Sequence, residues 1–197
     1  MEAPGAVSRL REAVEQGMGR LSARDENVAV VCVGTDRSTG DALGPLTGHK
    51  LQALAPRHVP IFGTLEEPVH AGNLAEKMAD ITRRFPRHLF VAVDACLGSL
   101  ENVGTICVGQ GALRPGAGVN KVLPPVGDLH VTGVVNVGGF MEYFVLQNTR
   151  LHLVMRMSTV IAEGLAELLA RPVAAPSANR FPARAAETAG RVWQSST

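Results

Sequence analysis

Apolar residues recur at helical intervals over residues 7–21, where Val7, Leu10, Val14, Met18 and Leu21 form one stripe of a surface helix. The period then changes. Val28-Ala29-Val30-Val31-Cys32-Val33 is a continuous, largely β-branched run, the pattern of a strand buried on both faces in a parallel sheet. It stops at Gly34, a polar loop follows over 34–41, and a helix is predicted over 43–54. The cycle repeats with a strand over 59–65, a helix over 74–84 with Leu74, Met78 and Ile81 on one face, and a buried strand over 88–93. The next strand, 102–108, follows after too few residues for a crossover, so it must run antiparallel to its predecessor. Residues 110–127, rich in Gly and Pro, read as loop. A helix over 140–146, a strand over 151–155 and a helix over 158–170 capped by Ser158 complete the pattern. The expected fold is a three-layer α/β/α sandwich whose mostly parallel sheet carries one antiparallel strand. An N-terminal helix within 1–24 packs on a single domain of 25–170, and the Pro- and Ala-rich segment 171–197 is predicted to be a poorly ordered tail.

Composition narrows the function. A chain of 197 residues hides about 70% of its unfolded surface, enough for one substantial core. Lys and Arg number 19 against 18 Asp and Glu, a net charge of +1, and no basic run exceeds Arg83-Arg84. Nucleic-acid binding is therefore disfavoured. The first 21 residues are charged and lack an apolar stretch, and no 18-residue apolar segment occurs elsewhere. Neither a signal peptide nor a membrane helix is expected, and a cytoplasmic location follows. Cys32, Cys96 and Cys107 lie far apart beside apolar runs, as small buried hydrophobes do in a reducing compartment. Cys96 stands two residues from Asp94 and is the one thiol placed to matter.

In open α/β sheets ligands gather beyond the carboxyl ends of parallel strands. Asp94 closes the strand 88–93, and Asp41 opens the helix after the first strand and loop. Each has a bland role available. Asp41 suits a helix N-cap and Asp94 a turn. Their joint placement at two strand ends argues for chemistry. The loop 34–40 has neither a Gly-x-Gly-x-x-Gly nor a Walker ending, and Asp36 and Asp41 would repel an anion, so it is not read as a nucleotide site. Arg37 is expected to pair with a carboxylate or with substrate.

Gly34-Thr35-Asp36-Arg37-Ser38-Thr39-Gly40-Asp41-Ala42-Leu43-Gly44-Pro45, with Val91-Ala92-Val93-Asp94-Ala95 downstream, resembles the paired signatures of the germination protease family of spore-forming bacteria. Leu123-Pro124-Pro125-Val126-Gly127-Asp128 and the segment from Gly138-Gly139-Phe140 to Arg150-Leu151 resemble the shorter YyaC-type sporulation proteins, a group regarded as spore proteases. The likeness spans about 27–168; to the larger germination protease it is confined to the two aspartate motifs. It implies the phosphorylase/hydrolase-like fold shared with the hydrogenase maturation proteases, a location in the forespore or spore interior, and catalytic roles for Asp41 and Asp94. The maturation proteases also sense nickel with an acidic residue, an Asp and a His three residues before a Gly. This resemblance carries that triad onto Asp41, Asp94 and His130, with Gly133 completing the pattern. Their substrate-contacting Gly loop resembles Val69-His70-Ala71-Gly72-Asn73-Leu74, which implies substrate roles for His70 and Gly72.

Two carboxylates in one crevice cannot both ionise cheaply, so one keeps a proton while the other activates water. The leading expectation is a peptidase acting on intracellular spore proteins through an Asp41–Asp94 dyad, with no cofactor required. Backbone N–H groups of the loop 34–44 are candidates to stabilise the oxyanion. One variant binds a divalent ion, Zn or Ni, at Asp41, Asp94 and His130. The alternative is a catalytically silent binding or regulatory protein, to which the absence of a propeptide counterpart lends weight. A cysteine hydrolase using Cys96 with His70 or His130 is a thinner third. The partner expected throughout is a protein or peptide, and the helix patterns offer no dimer stripe.

Overall fold

Alternate residues of the apolar runs part to opposite sides of one sheet. In the computed structural model, which describes residues 5–21, 27–115 and 123–170, the strands are β1 (Val28–Cys32), β2 (Ile61–Phe62), β3 (Leu89–Gly98), β4 (Ile106–Gln110) and β5 (Leu129–Val137). Their order is β2-β1-β3-β5-β4, parallel throughout except that β4 runs antiparallel to β5. Val30, Cys32, Leu89, Val91, Val93, Leu129 and Val131 face helices α1 (Ala6–Arg20), α2 (Leu43–Leu54) and α5 (Leu151–Leu169). Ala29, Val31, Phe90 and Ala92 face α3 (Leu74–Arg84) through Leu74, Met78 and Ile81. The result is the three-layer α/β/α sandwich with one antiparallel strand. A short helix, α4 (Glu142–Gln147), links β5 to α5.

Several elements match their expected bounds, α2 and α3 residue for residue. Helix α1 buries Leu10 and Val14 against the same core. Strand β4 does run opposite to β3, yet it pairs with β5, which inserts between them. Three readings need correction. The segment 151–155 is not a strand but the start of α5, a 19-residue helix. Val154, Met157, Ile161 and Leu165, all at most 3% exposed, continue one helical face. Ser158 is accordingly no cap. It sits buried within the helix, where its Oγ donates to Met155 O at 2.9 Å and accepts from Lys50 Nζ at 2.7 Å. Strand β5, not anticipated at all, occupies the stretch that carries His130. Finally β3 does not end at Asp94 but continues to Gly98 beside β5. The predicted tail 171–197 lies outside the described residues, as does part of the predicted loop 110–127.

Candidate active site

Close backbone packing sets the loop that carries Asp41. Strand β1 ends with Val33 N–H donating to Val93 O (2.7 Å) and Gly34 N–H to Val69 O (2.8 Å). The chain then doubles back, Thr35 N–H donating to Asp41 O at 3.2 Å. Gly34 has φ +142°, and a Cβ there would stand 2.0 Å from Asp41 O. A Cβ on Gly44 would stand 2.0 Å from Val33 O. Glycine at these two positions lets the first turn of α2 rest directly on the end of β1. The far side of the loop is clasped by α4, Gly40 N–H donating to Leu146 O at 2.9 Å. Asn136 in turn holds α4, its Nδ2 donating to Val145 O and Thr149 Oγ1, each at 3.2 Å.

Asp41 is not spent on capping. The residue at the N-cap of α2 is Ala42, and no side chain caps that helix. Burial instead lifts the Asp41 carboxyl above its ordinary range, with the neighbouring Ser38 hydroxyl opposing the rise. Ser38 is only 6% exposed, and its Oγ falls short of a full hydrogen bond to any described group.

Asp94 follows Val93, the last residue of β3 to pair with β1, and lies opposite Thr132 of β5. Its carboxyl is pushed up to about 8, first by burial and further by the negative charge of Asp41, against the pull of the Ala95 N–H that donates to Oδ1 at 2.8 Å. The Asp94 carboxyl therefore feels the Asp41 charge, which favours keeping its proton while Asp41 is ionised. Asp94 also raises the thiol of buried Cys32, after the larger effect of burial, so that thiol is inert.

The remaining candidates divide. The His70 turn abuts the Asp41 loop through the Val33–Val69 bridge. There His70 N–H donates to Asn73 Oδ1 (2.8 Å) and Gly72 N–H to His70 Nδ1 (3.0 Å), which fixes the Nε2–H tautomer for the neutral ring. Arg37 is exposed, and among the described residues no ion pair ties it to either aspartate. His130 does not join the pair. It lies opposite Ala92, not Asp94, and its ring leans over Gly109 of β4 with Nδ1 2.9 Å from Gly111 O. Among the described residues no group of three His, Cys, Asp or Glu side chains is arranged to hold a metal ion. The Zn or Ni triad of Asp41, Asp94 and His130 is thus not assembled, and these residues do not fit the nickel-sensing site. Burial likewise raises the Cys96 thiol, with the Thr132 hydroxyl opposing it, and no described histidine bonds to it. Most loop amides proposed for an oxyanion are occupied: Gly34, Thr35, Arg37, Gly40, Ala42 and Leu43 all donate internally. Ser38 and Thr132 were passed over in sequence. The alternation of His130, Thr132 and Val134 with Val131, Gly133 and Val135 was the available signal for the second.

A family model described as "Protein of unknown function (DUF1256)" matches residues 1–164. The chain is 58% identical over 138 residues to "Uncharacterized protein YyaC" of Bacillus subtilis (strain 168), covering 70% of this chain and 67% of that protein. Among solved structures, the [NiFe] hydrogenase maturation protease HycI of Thermococcus kodakarensis KOD1 is similar with a TM-score of 0.51 and 19% identity, covering 73% of this chain and 92% of that one. The two share a fold. A peptidyl-tRNA hydrolase solved with N-propanol is similar at a TM-score of 0.48 and 12% identity, over 72% of this chain and 90% of that one, too low to bear on this chain.

Proposed function

The chain belongs to the DUF1256 family, and from that premise we propose that it is a peptidase in which Asp41 and Asp94 divide the work of one hydrolysis. The observation that carries the reading is the influence of one acid on the other: Asp94, raised to about 8 first by burial, is raised in part by Asp41. Asp94 enters the reaction protonated and Asp41 ionised. Asp41 takes a proton from water as the water oxygen attacks the peptide carbonyl carbon. Asp94 gives its proton to the leaving amine as the C–N bond breaks, so charge and atoms balance. Strand β3, which holds Asp94 within its length, and the loop packed on the end of β1, which holds Asp41, supply orientation. A third acceptor-donor, Ser38 Oγ, lies beside Asp41 to steady the water. The proposed substrates are intracellular proteins, those of the spore first among them, in keeping with the likeness to sporulation proteases. Had an Arg37 ion pair sealed the carboxylates, a silent binding protein would have been the better reading; Arg37 makes none among the described residues.

The test is cleavage of a spore-protein extract, with fragment termini read by mass spectrometry. Asp41→Asn and Asp94→Asn, each checked for folding by circular dichroism, are expected to lose about 10²–10⁴-fold in rate. Full cleavage by both variants, or none by the wild type, overturns the proposal.

A further inference from the structure

The hydrogen-bond parity of β3 leaves a gap beside Asp94. Leu89 N–H donates to Asn27 O (2.9 Å) and Val93 O accepts from Val33 N–H (2.7 Å), so odd residues of β3 turn their backbone groups toward β1. Phe90 O accepts from Asp128 N–H (2.8 Å) and Gly98 O from Gly138 N–H (2.9 Å), so even residues turn toward β5. Pairing with β1 stops at Cys32 opposite Val93, while β3 runs on to Gly98. The next odd residues, Ala95 and Leu97, therefore face the vacated lane. Ala95 N–H is taken by Asp94 Oδ1. The register shift against β5 between Cys96 and Leu97 leaves this parity intact, since Gly98 O still faces β5, and outside the sheet ladder Ala95 C=O, Leu97 N–H and Leu97 C=O make no hydrogen bond among the described residues. Backbone groups left this way at a half-buried strand need a partner of some kind. Their spacing is that of a strand, which a second polypeptide backbone matches.

The lane leads to an apolar surface. Gly138 packs against Leu97, where an added Cβ would meet Leu97 Cβ at 3.1 Å. The chain then presents Phe140, Tyr143 and Phe144 to solvent at 82%, 59% and 55% exposure. Exposed aromatic residues grouped on one short segment mark a contact surface.

Resting on the peptidase reading above, we propose that the unpaired edge of β3 at Ala95 and Leu97 is the substrate cradle. An extended polypeptide segment adds there as a further strand, lies alongside Asp94, and sets apolar side chains on the surface formed by Phe140, Tyr143 and Phe144. Recognition of this kind draws affinity from the main chain and selectivity from alternate side chains. The substrate class is thus an unfolded or locally extended, apolar-rich segment, not a folded surface.

The test uses full-length Asp41→Asn protein to hold the probe uncut. The probes are fluorescein-labelled β-casein and a capped hexapeptide of alternating valine and threonine, with an alternately N-methylated twin of the same side chains. Anisotropy is expected to show the N-methylated twin binding about tenfold more weakly or worse, because its backbone donors are gone. Amide exchange at Leu97 is expected to slow when casein is bound. Equal binding of the twins, an unprotected Leu97 in the bound state, or no binding of either probe overturns the cradle. Casein cut by the wild type with Leu97 unprotected removes the cradle and leaves the peptidase. Edge pairing with no cleavage by the wild type removes the peptidase and leaves a strand-binding groove.

Discussion

Asp94 sits where the sheet loses one of its strands, half-buried and next to a second acid, and its proton is held far more tightly than in the unfolded chain. Stability should record this. Between the ordinary carboxyl value of 3.8 and the folded value of about 8, the folded protein keeps a proton that the unfolded chain has released. The protonated carboxyl therefore stabilises fully at low pH, and that contribution is lost as pH rises toward 8. The slope from this group approaches about 1.4 kcal/mol per pH unit. Asp94→Asn, which cannot ionise, is expected to flatten the fall of unfolding free energy between pH 5 and 8 and to be more stable than wild type at pH 8. Urea unfolding at a series of pH values checks it; parallel curves for the two proteins contradict it. Both aspartates were legible as candidates in sequence: Asp94 directly follows a buried apolar run, and Asp41 follows the polar loop that leaves the first such run. What was not legible was the fate of His130. Its place depends on β5 lying between β3 and β4, a long-range pairing that turns the ring toward β4 and away from Asp94.

Elements were read well wherever the apolar period was unbroken. Helices α2 and α3 and strand β1 carry unbroken patterns, so their bounds followed from period alone. Helix α5 misled because its apolar start looks like a strand and its buried Ser158 looks like a cap. Tertiary structure resolves both. Lys50 reaches from α2 to place Nζ 2.8 Å from Met155 O, 2.7 Å from Ser158 Oγ and 2.7 Å from Thr159 Oγ1, so all three ammonium donors are used. Burial lowers the Lys50 pKa, which the charge of Glu163 partly offsets. Lys50→Met is expected to cost about 1–3 kcal/mol in chemical unfolding while cleavage per folded molecule stays unchanged, since this clasp joins two helices away from the aspartates. A second element-scale contact is less forgiving. Gly44→Ala sets a methyl 2.0 Å from Val33 O, against backbone that has no flexible end to yield. A loss of about 3 kcal/mol or more is expected, with cleavage lost as well because the loop bearing Asp41 must shift. Thermal unfolding with a parallel activity assay separates the two variants.

At the scale of the whole molecule, among the described residues three helices cover one side of the sheet and α3 covers part of the other. The carboxyl mouth is where the layers are incomplete. Here β1 stops, β3 continues past Asp94, and the loop that carries Asp41 is held by α4. No helix among the described residues is long and apolar enough to cross a membrane, and the chain's net charge is +1. Everything proposed for function rests on the two acids sensing one another across that mouth. Carboxyl-carbon NMR titration of isotopically labelled aspartate, in wild type and in Asp41→Asn, measures this directly. Asp94 is expected to titrate near 8 in the wild type and at a lower pH once the Asp41 charge is removed. Two carboxyls titrating independently in the ordinary range, with Asp94 unmoved by Asp41→Asn, would contradict the account.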